Sequence, residues 1–398
     1  MNFKSLSVIS IALMCLIALG LIVGSSSSPN VKVIGASPKA EVTTIPVVKV
    51  FLENSGSMDG YMCDGSELKD AVYNYLSAIN NKADTMQLYY INSDIIPQKV
   101  PLNNYIRNLN PANFRSAGGN RSHTDVSVLF DKFLSSVNDK TISIYISDCI
   151  LDIPNNAAPN YLNITRTDIH NCFTNKAKSV KDLAVCVYQL ESSYDGLYYF
   201  PKGGSSPYKG KRPYYMILAG PREILAYLRN AVPDSALIHG VKNYCAFSPN
   251  YEACASINKG AKYVDEVQLK TKQRDGKYKF DVLVDLSKSL QNDNVLTNPS
   301  NYDWLHKNDL SIDMIQRING NNAEFSHVIT FSTNGGILTD VFSLKNIGLP
   351  TWVAQSNDSK GDSIDANKTF GIEYIIGGIA DAYSDKTSTS FKFNITKK

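Results

Sequence analysis

Residues 47–58, VVKVFLENSGSM, close an apolar run with Glu53, Ser55 and Ser57 on alternate positions and Gly56 between the serines. Such a run reads as a buried strand of a parallel sheet, which delivers its polar residues to the loop at its carboxyl end. Small oxygen-bearing side chains at every second position of a turn can aim at one spot. Hard oxygens of that kind suit Mg²⁺, Mn²⁺ or Ca²⁺ better than Zn²⁺. Two further stretches end at the same predicted edge. GGNRSHTDVSVLF brings Thr124 and Asp125 to a helix start, and TISIYISDCILD brings Asp148 to a strand end. Each also has a plainer reading: Ser-Gly-Ser as turn chemistry, Thr124 as a helix cap, Asp125 as a favourable charge at a helix N-terminus.

Other chemistries find less support. The histidines, His123, His170, His239, His306 and His327, form neither a His-x-x-x-His pair nor a His-Glu-x-x-His motif, so zinc hydrolysis is not expected. A triad of Ser55 or Ser57 with His123 and Asp148 can be drawn, but Ser-Gly-Ser lacks the Gly-x-Ser-x-Gly elbow. Neither a phosphate loop nor a dinucleotide fingerprint is present. A hydrolase is the lesser alternative, and no catalytic residue is assigned.

In order, strand endings and residue types, ENSGSM, HTDVSVLF and ISD resemble the von Willebrand factor A (VWA) family, whose metal-ion-dependent adhesion site combines Asp-x-Ser-x-Ser, a later Thr and a later Asp. The resemblance covers residues 45–232. It implies that Ser55, Ser57 and Thr124 supply hydroxyl ligands, while Glu53 and Asp148 hold the ion directly or through water. The expected ion is Mg²⁺, with Ca²⁺ or Mn²⁺ as alternatives. The sequence departs from the family in placing Glu53 where Asp is usual, and the extra methylene suits the larger, flexible Ca²⁺ shell better than octahedral Mg²⁺. The implied partner is a protein or peptide that presents a carboxylate. The main alternative is a metal-free scaffold of an envelope assembly.

The elements that must position these residues alternate between residues 45 and 232. Strand-like runs cover 47–52, 86–91, 142–146, 183–190 and 214–219, with helical patterns over 66–80, 125–137 and 221–231. Asp64 and Glu67 offer a capping box for the first helix. The expected fold class is α/β: a VWA-like open, mostly parallel sheet with helices on both faces. Loops at 93–123, 150–180 and 194–212 surround the expected site, the last carrying YYFPKGGSSPYKGKRPYY as a recognition surface.

Residues 5–24 form an uncharged apolar block after Lys4, close to the roughly 20 residues that span a bilayer. A signal peptide or amino-terminal transmembrane anchor is expected over 1–24, followed by a Ser/Pro-rich linker over 25–44. Both readings place the chain in the cell envelope facing outside the cytoplasm, or secreted, with the membrane as partner of the first segment. With a net charge of +3, 19% charged residues and no basic cluster that stands out, nucleic acid is not expected. Residues 233–398 read as a β-rich, sandwich-like domain, marked by VQLKTKQRDGKYKFDVLVDL with a turn at Asp275-Gly276. Exported chains permit disulfides, and Cys245 with Cys254 is the first pair to test.

Overall fold

A computed structural model describes residues 28–36, 42–122, 125–155, 157–260, 262–318, 324–384 and 389–397. The expected anchor over residues 5–24 lies outside them. Among the described residues, no helix is long and apolar enough to cross a membrane.

The apolar run that ends at Glu53 is the centre of the larger sheet. Strands β1 (Pro29–Ile34), β2 (Ile45–Glu53), β3 (Ala83–Ile91), β4 (Ile95–Gln98), β5 (Thr141–Ser147), β6 (Leu183–Tyr199), β7 (Ser205–Pro221) and β8 (Asn243–Phe247) come first in the chain. Seven of them form one sheet in the order β4-β3-β2-β5-β7-β6-β8. β2 is flanked on both sides, as its near-continuous apolar run requires, and β5 is buried along its whole length although Thr141, Ser143 and Ser147 alternate with its apolar residues. Alternation splits β2 between two cores: Val48, Val50 and Leu52 face one and Phe51 the other.

Helices α1 (Glu67–Asn80), α2 (Val126–Ser135), α3 (Tyr161–Ala177), α4 (Arg222–Ala231) and α5 (Ile372–Asp381) cover the two faces. Leu68, Val72, Leu76 and Ile79 of α1 share a core with Leu225 and Leu228 of α4. Leu129 and Phe133 of α2, Ile169 and Phe173 of α3, and Ile375 and Ile379 of α5 fill the opposite one. Close approach of α5 to α3 depends on Gly378, where an added Cβ would lie 2.5 Å from the Arg166 carbonyl oxygen. Arg166 also forks onto Asp381 at 2.6 and 2.9 Å. The expected capping box is not formed: Ser66 stands at the N-cap of α1, and Glu67 instead accepts from the Ser193 backbone N–H at 2.6 Å.

The expected VWA-like, mostly parallel sheet is not what the chain builds. β2 is parallel to β3 and β5, but β3/β4, β5/β7, β7/β6 and β6/β8 are all antiparallel. The cause is local. β6 and β7 are joined by a short turn whose Gly203 and Gly204 both take positive φ, so the chain reverses at once and pairs with itself along both strands. No helix intervenes to return the strand in the parallel sense. Residues 194–212, expected as a loop, are therefore the outer half of a two-stranded arm. Residues 93–123 and 150–180, also expected as loops, contain short helices at Leu102–Arg107 and Pro111–Arg115, and α3.

The second unit consists of two sheets that are antiparallel except where Tyr251–Glu252 joins Thr389–Lys397 in the parallel sense. One is ordered Glu266–Gln268, β1, Thr389–Lys397, Leu338–Leu344, Tyr302–Asp303; the other Lys262–Val264, Ala255–Lys259, Tyr278–Val284, His327–Thr333, Leu310–Arg317. Val31, Ile257, Val282, Phe331, Phe342 and Phe393 pack in one core between them. The two units interleave in sequence. Residues 25–44, expected as a linker, supply β1, whose Val31 and Val33 point into this core while Lys32 stays outside. β8, beyond the expected boundary at 232, and α5 return to the first unit.

His327 begins a central strand of the second unit and is fully buried, its Nδ1 2.9 Å from the Ser326 hydroxyl and its Nε2 3.6 Å from Asp293. Burial lowers its pKa from the usual 6.5 to about 4. A depressed folded-state value stabilises above the unfolded pKa, and the benefit is lost as pH falls from about 6.5 towards 4. The stability advantage of the parent over His327→Gln, measured by urea unfolding at pH 7 and pH 4.5, is expected to shrink by up to about 3 kcal/mol at the lower pH. An unchanged gap refutes this.

Candidate metal centre

Parallel pairing of β2 with β5 sets their carboxyl ends side by side, with Leu52 opposite Ile146. Glu53, Ser147 and Asp148 thereby meet at one edge of the sheet. Glu53 is buried, and its Oε2 accepts hydrogen bonds from the Tyr145 hydroxyl at 2.7 Å and from the Ser147 hydroxyl. After Glu53 the chain turns through Asn54, Ser55 and Gly56 into a 3-10 helix, Ser57–Met62. This turn brings the Ser55 and Ser57 hydroxyl oxygens to 3.0 Å from each other.

Asp148 closes the group from the β5 side. One carboxylate oxygen, Oδ1, accepts from the Ile150 N–H at 3.3 Å, and the Ser57 hydroxyl also bonds the carboxylate. The other, Oδ2, is buried with no hydrogen-bond partner. Burial, and then the neighbouring Glu53 charge, push the Asp148 pKa up to about 7, against the smaller opposing effects of Ser57, Ile150 and Arg212. Cys149 follows at φ 54°, a left-handed conformation that costs a non-glycine residue energy. It is held by its N–H bond to the Ser147 hydroxyl at 2.7 Å.

The turn is pinned from outside. Asn54 donates to the Phe114 carbonyl at 2.7 Å, and Arg121 donates to the Ser55 carbonyl at 2.9 Å and also binds Asn54 and Asp59. Asp59 takes a second cation, Arg115, at 2.8 Å. From above, the β6/β7 arm lies on the turn. A Cβ on Gly60 would sit 2.3 Å from the Tyr194 ring, so that glycine is required by close approach; one on Gly56 would sit 3.2 Å from Tyr199, a tight contact that a small shift of this exposed side chain relieves. Glu53, Ser55 and Asp148 are buried beneath this cover, while Ser57 and Gly56 remain partly exposed.

Arg212 of β7 enters the same neighbourhood and is 1% exposed. One guanidinium nitrogen donates to the Asp365 carbonyl at 2.7 Å, the group stacks 4.7 Å from the Tyr198 ring centre, and the other terminal nitrogen is buried without a partner. Arg212, Tyr145 and Ser147 are the site residues that the sequence reading missed. Arg212 lay within the segment taken as a recognition loop. Its only signal was an Arg-Pro immediately before the apolar YYMILA strand.

Of the expected ligands, the structure brings together Glu53, Ser55, Ser57 and Asp148. Thr124 and His123 lie outside the described residues. Asp125 is itself the N-cap of α2, the place the plainer reading gave to Thr124, and accepts from the Ser127 N–H at 2.9 Å and the Val128 N–H at 3.5 Å. Among the described residues, no group of three or more His, Cys, Asp or Glu is placed to hold a metal. The donors here are two hydroxyls and a carboxylate oxygen without a partner, a set that fits a hard divalent cation and no soft one. The six cysteines beyond residue 24 are free, including Cys245, buried on β8, and Cys254. Comparison with known protein families, with curated proteins and with solved structures finds no match.

Proposed function

We propose that this chain is an extracytoplasmic, membrane-anchored or secreted interaction protein that binds an acidic group of a partner protein or peptide through a divalent cation, Mg²⁺ first and Ca²⁺ or Mn²⁺ next. Ser55, Ser57 and Asp148 would hold the ion, with Glu53 behind them, oriented by Tyr145 and Ser147. The observation that carries this reading is the buried, partnerless Oδ2 of Asp148 beside the Ser55/Ser57 hydroxyl pair. An orphaned carboxylate oxygen in a dry site is costly unless something positive meets it. When bound, the cation supplies that charge and an electrophilic position for a ligand carboxylate.

Charge balance supports an acidic ligand. Glu53 and Asp148 as carboxylates with Arg212 leave one negative charge in the pocket; a divalent ion turns that to one positive charge, and a single ligand carboxylate brings it to zero. A buried site favours the neutral sum. Ser57 and Gly56, being partly exposed, mark the side from which a ligand can approach.

The experiment is calorimetric titration of the full chain in detergent with Mg²⁺, Mn²⁺ and Ca²⁺, beside a Ser55→Ala, Ser57→Ala double variant whose fold is checked by circular dichroism. Binding heat in the parent and none in the variant is the expected result. Silence in both removes the cation from the mechanism. The alternative, a metal-free scaffold, is favoured by one observation: Tyr145 and Ser147 already occupy Oε2 of Glu53. Partner binding that survives EDTA would select it.

A further inference from the structure

We infer that the end of the two-sheet unit bearing Pro29 and Lys397 docks against an anionic phospholipid surface, so that the protein lies on its membrane rather than swinging from a tether. The inference rests on the reading of residues 5–24 as a membrane anchor and adds a face, an orientation and a lipid class to it.

Chain geometry supplies the first argument. Pro29 is paired in the sheet opposite Lys397, one residue after the serine run Ser25 to Ser28. From Gly24 to Pro29 the chain can span at most about 18 Å even fully extended, at roughly 3.6 Å per residue. If the apolar block ends at the bilayer, this end of the unit cannot stand far from the headgroups. The surface potential of an anionic leaflet decays over about 8–10 Å at physiological salt, so the charges placed here decide whether the end is drawn in or pushed off.

Those charges are positive. Leu269 donates to the Pro29 carbonyl, which fixes the following hairpin, KTKQRDGK, beside the chain's entry point. Lys272 bridges to Tyr278, and a Cβ added at Gly335 would lie 3.2 Å from both Tyr278 and Pro29, so the three stand together. Lys270, Lys272, Arg274, Lys277 and Lys397 thus gather at this end against Asp275 and Asp309, while Glu266, bonded to Asn30, and Lys32, opposite it, cancel, which leaves a local excess of three positive charges. Lys307, nearby, is already matched by Asp303 at 2.7 Å. A basic end facing the bilayer is the asymmetry that an anionic surface selects.

Apolar side chains stand within the same region. Ile337, two residues from Gly335, is 72% exposed; Leu305 is 82% exposed, and its N–H binds Asp340 on the strand that Ile337 precedes. Among the described residues no other large apolar side chain is as exposed. Basic residues with isolated protruding aliphatic groups fit headgroups with shallow insertion.

The test uses the full chain reconstituted into phosphatidylcholine vesicles, with and without phosphatidylglycerol, whose acyl chains carry bromine as a quencher. Ile337→Trp is compared with Met314→Trp, an exposed position on the edge strand Leu310–Arg317 of the opposite sheet, each read as the difference from the unsubstituted chain. The expected result is several-fold stronger quenching at 337 than at 314 in anionic vesicles. A Lys270→Glu, Lys272→Glu, Arg274→Glu variant, which alters only exposed side chains, should abolish the difference. A chain that floats with the vesicles but shows equal, weak quenching at both positions overturns the docking and leaves the anchor standing. A chain that does not float overturns the anchor, and the docking with it.

Discussion

Asp148→Asn is expected to lower divalent-cation affinity by about 100-fold or more, while leaving the protein at least as stable at pH 8 in EDTA as the parent. The two effects have one cause. The Asp148 carboxylate is buried beside Glu53, and its pKa is raised to about 7. A folded-state value above the unfolded one means that the native state holds the proton more tightly, so its stabilisation is fully present below the unfolded pKa and is lost as pH rises towards 7. Asparagine keeps the shape and the Oδ1 acceptor without the charge, so the variant should not share that loss. Urea unfolding of both proteins between pH 5 and pH 8 checks it: the parent weakens relative to the variant as pH rises. The same proton competes with the ion, so parent affinity for Mg²⁺ should fall nearly tenfold per unit below about pH 7. Cation binding that is unaffected by Asp148→Asn would sink the proposed site. Because His327 acts in the opposite sense in the same pH range, only differences between parent and variant are informative.

Arg212→Met is the second large effect, a destabilisation of about 3 kcal/mol at pH 8 in EDTA. The guanidinium is nearly inaccessible, bonds the Asp365 carbonyl and lies over Tyr198. It is also a positive charge that lowers the Asp148 pKa. Methionine fills the space but leaves two buried carboxyl groups without that counter-charge. Arg212→Lys should not rescue, since an ammonium cannot both stack flat on the ring and reach the carbonyl in the same geometry. Under the proposed function, saturating Mg²⁺ should stabilise Arg212→Met more than it stabilises the parent, because the ion takes over part of the lost charge. Thermal unfolding with and without Mg²⁺ measures this. Equal stability of Arg212→Met and the parent would show that the pocket does not depend on that balance.

Glu53 has a use of its own at this sheet edge. The longer side chain reaches the Tyr145 and Ser147 donors on the neighbouring strand, so its Oε2 is held by the protein itself. In the proposed site the direct ligand role then falls to Ser55, Ser57 and Asp148. A shorter carboxylate would have to leave one of those donors unpaired or draw the turn inward.

What the sequence determined by itself was local. The apolar run before Glu53 specified a doubly flanked strand, because only burial on both faces tolerates such a run. The spacing of Leu68, Val72, Leu76 and Ile79 specified α1, and the approach of Ser55, Ser57 and Asp148 followed from strand ends that carry polar residues. Strand direction was not legible, since an apolar strand has the same pattern whether its neighbour runs parallel or antiparallel. That was decided by the turn at Gly203 and Gly204, which pairs β6 with β7 and cancels the expected mostly parallel sheet. Nor was partnership across long separations legible. β1 joins Thr389–Lys397, α5 returns to α3, and Arg212 comes to lie near Asp148, because burying apolar faces and balancing buried charge are properties of the assembled chain rather than of any segment of it.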